Sequence, residues 1–184
     1  MYKERKEPMR INTKITMMGL LVASLSGCSA QLKPMLKDYK GSDAAHIRVA
    51  TGDSIYIYFY EKQSSGCYKQ VEERRLTAGF SVMGFPVTGS KKMGMPSSGN
   101  YGYQPTNEFS IKPNQLVNIV HYWVDAHVNY SFQKSSSERF IPQQHHNYDV
   151  IVKGTDYSVD HVSVADLDPQ AKIIGWEGEI CKNN

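Results

Sequence analysis

Between Ser54 and Glu61 the chain alternates Ile55, Ile57 and Phe59 with Tyr56, Tyr58 and Tyr60. Successive side chains of a strand point to opposite faces. A period of two built from β-branched and aromatic residues therefore dictates an extended segment. Both faces are large, which predicts a central strand covered on both sides. Thr51-Gly52-Asp53 lies just before it and is expected to join it to His46–Ala50 as a hairpin.

The same reading continues along the chain. Strands are expected over Arg75–Val82, Glu108–Lys112, Leu116–Val128, Tyr130–Gln133, Arg139–Ile141, Tyr148–Lys153, Ser158–Ala165 and Lys172–Glu177. Ser135–Ser137 reads as a turn. Met83–Pro105 carries Gly84, Pro86, Gly89, Gly94, Pro96, Gly99 and Gly102, so it reads as loop with one short strand near Lys91–Met95. Many short strands, frequent turn signals and no amphipathic helix predict an all-β domain: a single antiparallel β-sandwich, with a small β-barrel as the alternative.

The first residues follow different rules. Lys3, Arg5, Lys6, Arg10 and Lys14 precede Ile15–Leu25, eleven residues without a charge. At about 1.5 Å per residue this run is too short to cross a hydrocarbon core of about 30 Å. A basic stretch followed by a short apolar run is the pattern of a secretory signal peptide. Leu25-Ser26-Gly27-Cys28 then matches the lipobox, in which an aliphatic and two small residues precede the acylated cysteine. In leader and lipobox the chain resembles the lipoproteins of Gram-negative envelopes, and in overall pattern their small β-sandwich members.

That resemblance implies signal peptidase cleavage before Cys28, a covalent lipid on Cys28, and membrane attachment through it. Ser29 at the next position implies transfer to the outer membrane, periplasmic side, with the inner membrane or the cell surface as alternatives. The expected organisation is a signal peptide over 1–27, a lipidated N-terminus and flexible tether over 28–45, and a β domain over 46–184. Five of the 21 basic residues and two of the 18 acidic ones lie in 1–27, leaving sixteen of each. The net charge of +3 thus belongs to the leader, and a nucleic-acid partner loses its electrostatic footprint.

With Cys28 lipidated, Cys67 and Cys181 remain. An even remainder in an oxidising compartment predicts a disulfide between them. Motifs of catalysis are sparse. There is no Gly-x-Ser-x-Gly, and Ser131-Phe132-Gln133-Lys134 spells Ser-x-x-Lys within a strand-like run rather than at a helix start. His121, Asp125 and His127 share one face of a predicted strand, while His145 and His146 lie in a predicted loop. These five are the candidate metal ligands, set against a plainer reading as polar surface. Tyr101-Gly102-Tyr103 in the Gly-rich segment is a candidate binding loop, since Tyr beside Gly makes adaptable contacts. The expected function is a non-catalytic, lipid-anchored module that binds an envelope protein. A periplasmic inhibitor or small-ligand carrier is the alternative, and no cofactor is expected beyond the lipid.

Overall fold

A computed structural model describes residues 33–77, 81–82, 85–86, 90–126, 130–155 and 158–182. The lipobox and Cys28 lie outside these residues, as does His127. The strands are β1 (Ala45–Ala50), β2 (Ser54–Lys62), β3 (Tyr68–Arg75), β4 (Ser81–Val82), β5 (Phe85–Pro86), β6 (Thr106–Ile111), β7 (Leu116–Ala126), β8 (Ser131–Phe140), β9 (Asn147–Thr155) and β10 (Ser158–Asp166). Sheet A has the order β3-β2-β7-β8 and sheet B the order β10-β9-β1-β6; β4 and β5 form a small ribbon. The two larger sheets make an open sandwich rather than a closed barrel.

Alternation explains the core. Ile55, Ile57 and Phe59 of β2 and Val117 and Ile119 of β7 face Ile47 and Val49 of β1, Phe109 and Ile111 of β6, and Tyr148 and Val150 of β9. The tyrosines of β2 point outward; β2 is central as expected, but its outer face is covered only in part, with Tyr58 buried and Tyr56 and Tyr60 half-buried.

Several expectations are corrected. Thr51–Asp53 does not close a hairpin: β1 pairs with β6 and β9 in sheet B, while β2 pairs with β3 and β7 in sheet A. The turn is a corner between sheets, held where the Thr51 amide donates to the Pro105 carbonyl at 3.0 Å. The β1–β9 pair is parallel, so sheet B is mixed rather than purely antiparallel. Strand β3 spells YKQVEERR, a charged run without apolar alternation, and forms as an edge strand on β2. Ser135–Ser137 continues β8: Ser135 and Ser137 pair with Tyr122 and Val120 on the outer face, while Ser136 pairs with His121 and its hydroxyl accepts the Val162 amide at 2.9 Å. Residues 91–95 and 172–177 form no strand, although Gly175 makes one bridge to Phe140.

The largest correction concerns the tether. Within the expected 28–45 segment, residues 33–45 are docked on the sandwich. The Leu36 amide donates to the Arg75 carbonyl on sheet A (2.9 Å), and the Tyr39 amide to the Ser110 carbonyl on sheet B (2.9 Å). Asp38 accepts from the Ser110 amide at 3.1 Å and pairs with Lys91 at 2.6 Å. Leu36 enters the core between these two anchors. Residues 33–39 therefore staple the β3 edge of one sheet to the β6 edge of the other. Burying Leu36 and satisfying edge amides outweigh the chain entropy a free tether would keep.

Candidate functional surface

The outer face of sheet B is closed. Arg48, Glu108 and Asp149 come from the neighbouring strands β1, β6 and β9, point away from the core, and are all buried. Arg48 lies 2.8 Å from Asp149 and 3.7 Å from Glu108. Residues 90–105 lie over this triad as a cover. Arg48 donates to the Pro96 carbonyl at 2.8 Å, and Asp149 accepts from Ser98 and from Asn100. Glu108 accepts the amides of Met93, Gly94 and Met95 at 2.6, 3.1 and 3.3 Å. Burial pushes the Glu108 carboxyl up, but these amides, Lys92 and Arg48 outweigh it and hold it below the ordinary carboxylate range.

The cover separates the two candidate tyrosines. Tyr101 points inward, its hydroxyl 2.8 Å from the Arg48 carbonyl and 2.7 Å from that of Val150. Burial and the nearby Asp149 charge raise its phenol well above the usual value. It fastens the cover, whereas Tyr103 stands wholly exposed. Sequence reading overlooked the triad, though a signal was there. A single charge interrupts each of the apolar strands AHIRVA, NEFSI and YDVIV. Charges on three strands of opposite sign are a pattern that pairing across a sheet can satisfy.

The outer face of sheet A carries Tyr56, Tyr58 and Tyr60 of β2 beside Tyr122 of β7. Tyr58 and Tyr122 hydroxyls meet at 3.0 Å, and Tyr56 packs edge-on against Tyr122. Among the described residues, a cover lies over one end of this face. Residues 173–181 cross it as a strap, with buried Trp176 packed against Tyr60 and Tyr68 and under the Arg139 guanidinium. The Trp176 indole donates to the Val117 carbonyl at 2.8 Å. At Gly178 (φ 146°) a Cβ would fall 2.1 Å from the Tyr68 ring, so the strap can approach only as glycine. The strap ends in the Cys67–Cys181 disulfide, with a Cα–Cα distance of 5.1 Å, as the cysteine arithmetic required.

At the opposite end β7 and β8 outrun the sheet. Strand β2 pairs with β7 only as far as Tyr122, yet β7 and β8 remain paired from Trp123–Lys134 out to Ala126–Ser131. Four residue pairs thus form an arm projecting roughly 13 Å. Lys134 pairs with Asp125 across it. The arm exposes Val124 (65 %), Tyr130 (55 %) and Phe132 (56 %), and the last two rings touch at a centroid distance of 5.1 Å. Ser131 and Lys134 sit on this two-stranded arm, not on a helix where Lys could reach the Ser hydroxyl.

The four described candidate metal ligands, His121, Asp125, His145 and His146, are not assembled into one site. His121 is buried, facing the interior and stacked on Trp123; its Nδ1 has no hydrogen-bond partner among the described residues. It lines a rim cavity of about 440 Å³ together with Asp53, Tyr122 and Trp123. Asp125 faces Lys134 on the arm. His145 takes a left-handed turn conformation (φ 65°), and His146 pairs with Asp166 at 2.7 Å. Among the described residues no group of three or more His, Cys, Asp or Glu is placed to hold a metal ion. No family model, curated protein or solved structure matches the chain.

Proposed function

We propose that this protein is a lipid-anchored envelope lipoprotein, acylated at Cys28, whose domain binds a partner protein in the periplasm without catalysing a reaction. The observation that carries the binding role is the β7–β8 arm, with three large apolar side chains more than half exposed at Val124, Tyr130 and Phe132. Aromatic side chains clustered on a projection are typical anchors of protein interfaces. The Lys134–Asp125 pair ties the two strands of the arm together across their pairing. The leader and lipobox support the anchor, and Ser29 supports the outer membrane as its destination.

The test is co-purification of the full lipidated chain from detergent-extracted envelopes. A partner recovered in fixed ratio with wild type and lost from Tyr130→Ser/Phe132→Ser supports the reading. Recovery of both proteins alone, or with a bound small molecule, overturns it in favour of a carrier. Labelled palmitate should be incorporated into wild type and not into Cys28→Ser; wild type that incorporates none would refute the anchor.

A further inference from the structure

We infer that the seam closed by residues 33–39 lies against the bilayer, with Lys37, Lys40 and Lys112 meeting anionic phospholipid headgroups. The inference rests on the lipid anchor at Cys28 proposed above. Its structural basis is the length of chain left between that anchor and the folded domain.

Because residues 33–39 are fastened to both sheets, the leash runs only from Cys28 to Lys33. Five Cα–Cα steps reach at most about 18 Å. A strand of eleven residues such as β7 is about 37 Å long, so the leash is shorter than the domain. A domain on such a leash cannot float free of the surface; the side from which the leash emerges must face it. That side is the seam. The Lys33 ammonium sits 2.9 Å from Glu73 on edge strand β3, and the chain then crosses to Ser110 on β6.

The charges of the seam fit a negative surface. Each carboxylate of Glu72, Glu73 and Asp38 already has a cation: Arg74 at 2.8 Å, Lys33 at 2.9 Å and Lys91 at 2.6 Å. Asp43 accepts from the Tyr39 hydroxyl. Lys37 and Lys112 flank a cavity of about 230 Å³ at the seam, alongside Leu36, and both are exposed. Neither is in an ion pair among the described residues, and exposed Lys40 adds a third positive charge beside them. Each lysine held at an anionic membrane strengthens association roughly fivefold. In this orientation the β7–β8 arm, on the sheet A edge opposite β3, stays clear of the lipid.

The test uses the full acylated chain in phosphatidylethanolamine–phosphatidylglycerol vesicles carrying a headgroup-attached quencher. A fluorophore is placed at Gln115 on the seam cavity, or at Gln133 on the arm. Quenching is expected to be several-fold stronger at 115 than at 133. A flexible insert of about twenty residues between Ser29 and Lys33 should abolish the difference by freeing the domain. Lys37→Gln/Lys112→Gln should reduce it, and high salt applied to wild type should do the same without any substitution. Equal quenching at both positions, with the protein still floating with the vesicles, overturns the orientation while leaving the anchor intact. Failure to float at all refutes the anchor and the orientation together.

Discussion

Two stretches without regular structure each cover one sheet, and they are held by opposite means. The cover over sheet B, residues 90–105, rests on buried charge: Arg48, Asp149 and Glu108 with the amides and hydroxyls that meet them. The strap over sheet A rests on one buried indole among aromatic rings and on a covalent bond at its end. Charge in the interior stabilises only while every member is paired, so the cover should fail abruptly when one partner is removed. Aromatic packing and a disulfide lose their contributions separately. The difference teaches that a Gly-rich coil can be as firmly placed as a strand once it supplies donors to a buried carboxylate.

The largest effects should come from the two anchors. Asp149→Asn leaves the buried Arg48 guanidinium without its closest counter-charge and is expected to cost about 3–5 kcal/mol in urea unfolding. Limited proteolysis of that variant should open residues 90–105 while the strap stays protected. Trp176→Ala is expected to cost a similar ~3–5 kcal/mol with the reverse cleavage pattern. Cleavage appearing in both segments of both variants would break the contrast, showing one cooperative unit in place of two.

Removing the disulfide by Cys67→Ser/Cys181→Ser should cost about 2–4 kcal/mol and loosen the strap without touching the cover. A smaller loss should accompany acid. Asp38 and Glu108 both have carboxyls held low: burial raises each, but hydrogen bonds and neighbouring cations win. Their stabilisation is complete at neutral pH and starts to decline as pH falls through the ordinary values of 3.8 and 4.5. It is gone once pH drops below the depressed native values. Hydrogen exchange followed across that range should show residues 90–95 opening before the strap; simultaneous opening would contradict it.

At the small end stand the two tyrosines of the cover. Tyr101→Phe removes the hydroxyl shared by the Arg48 and Val150 carbonyls and should cost about 1 kcal/mol. Tyr103→Ser, at a wholly exposed position, should change thermal stability by less than about 0.5 kcal/mol. A larger effect at 103 than at 101 would invert the assignment of which tyrosine fastens the cover.

Legibility followed the range of the interaction. The Ile55-x-Ile57-x-Phe59 alternation was readable because side-chain parity is local; that this face and not the tyrosine face lines the core was decided by the packing of the two sheets. The cysteine pair was readable by elimination. Strand β3 was not, because an edge strand needs little apolar surface and YKQVEERR offers none on a regular period. The hairpin expected at Thr51–Asp53 failed for another reason. A turn signal says that the chain bends there and is silent on whether the flanking strands pair with each other. The exposed arm was invisible too, since Tyr130 and Phe132 read as ordinary strand aromatics until the sheet beside them ended at Tyr122.

Taken by itself, the sequence determined that the domain would be built of strands, which residues of the central strand would share a face, and which two cysteines would join. It also carried the basic and apolar N-terminal run and the Leu25–Cys28 motif on which the proposed lipid anchor rests. All of these follow from patterns within a few residues or from simple counting. Only the tertiary structure decided that residues 33–39 staple the sheets, that Tyr101 is a fastener and Tyr103 is free, and that three charges on three strands meet under a coil. Those outcomes depend on which distant segments share a buried face. There the cost of closing long loops is weighed against burying apolar surface and pairing every polar group taken out of water.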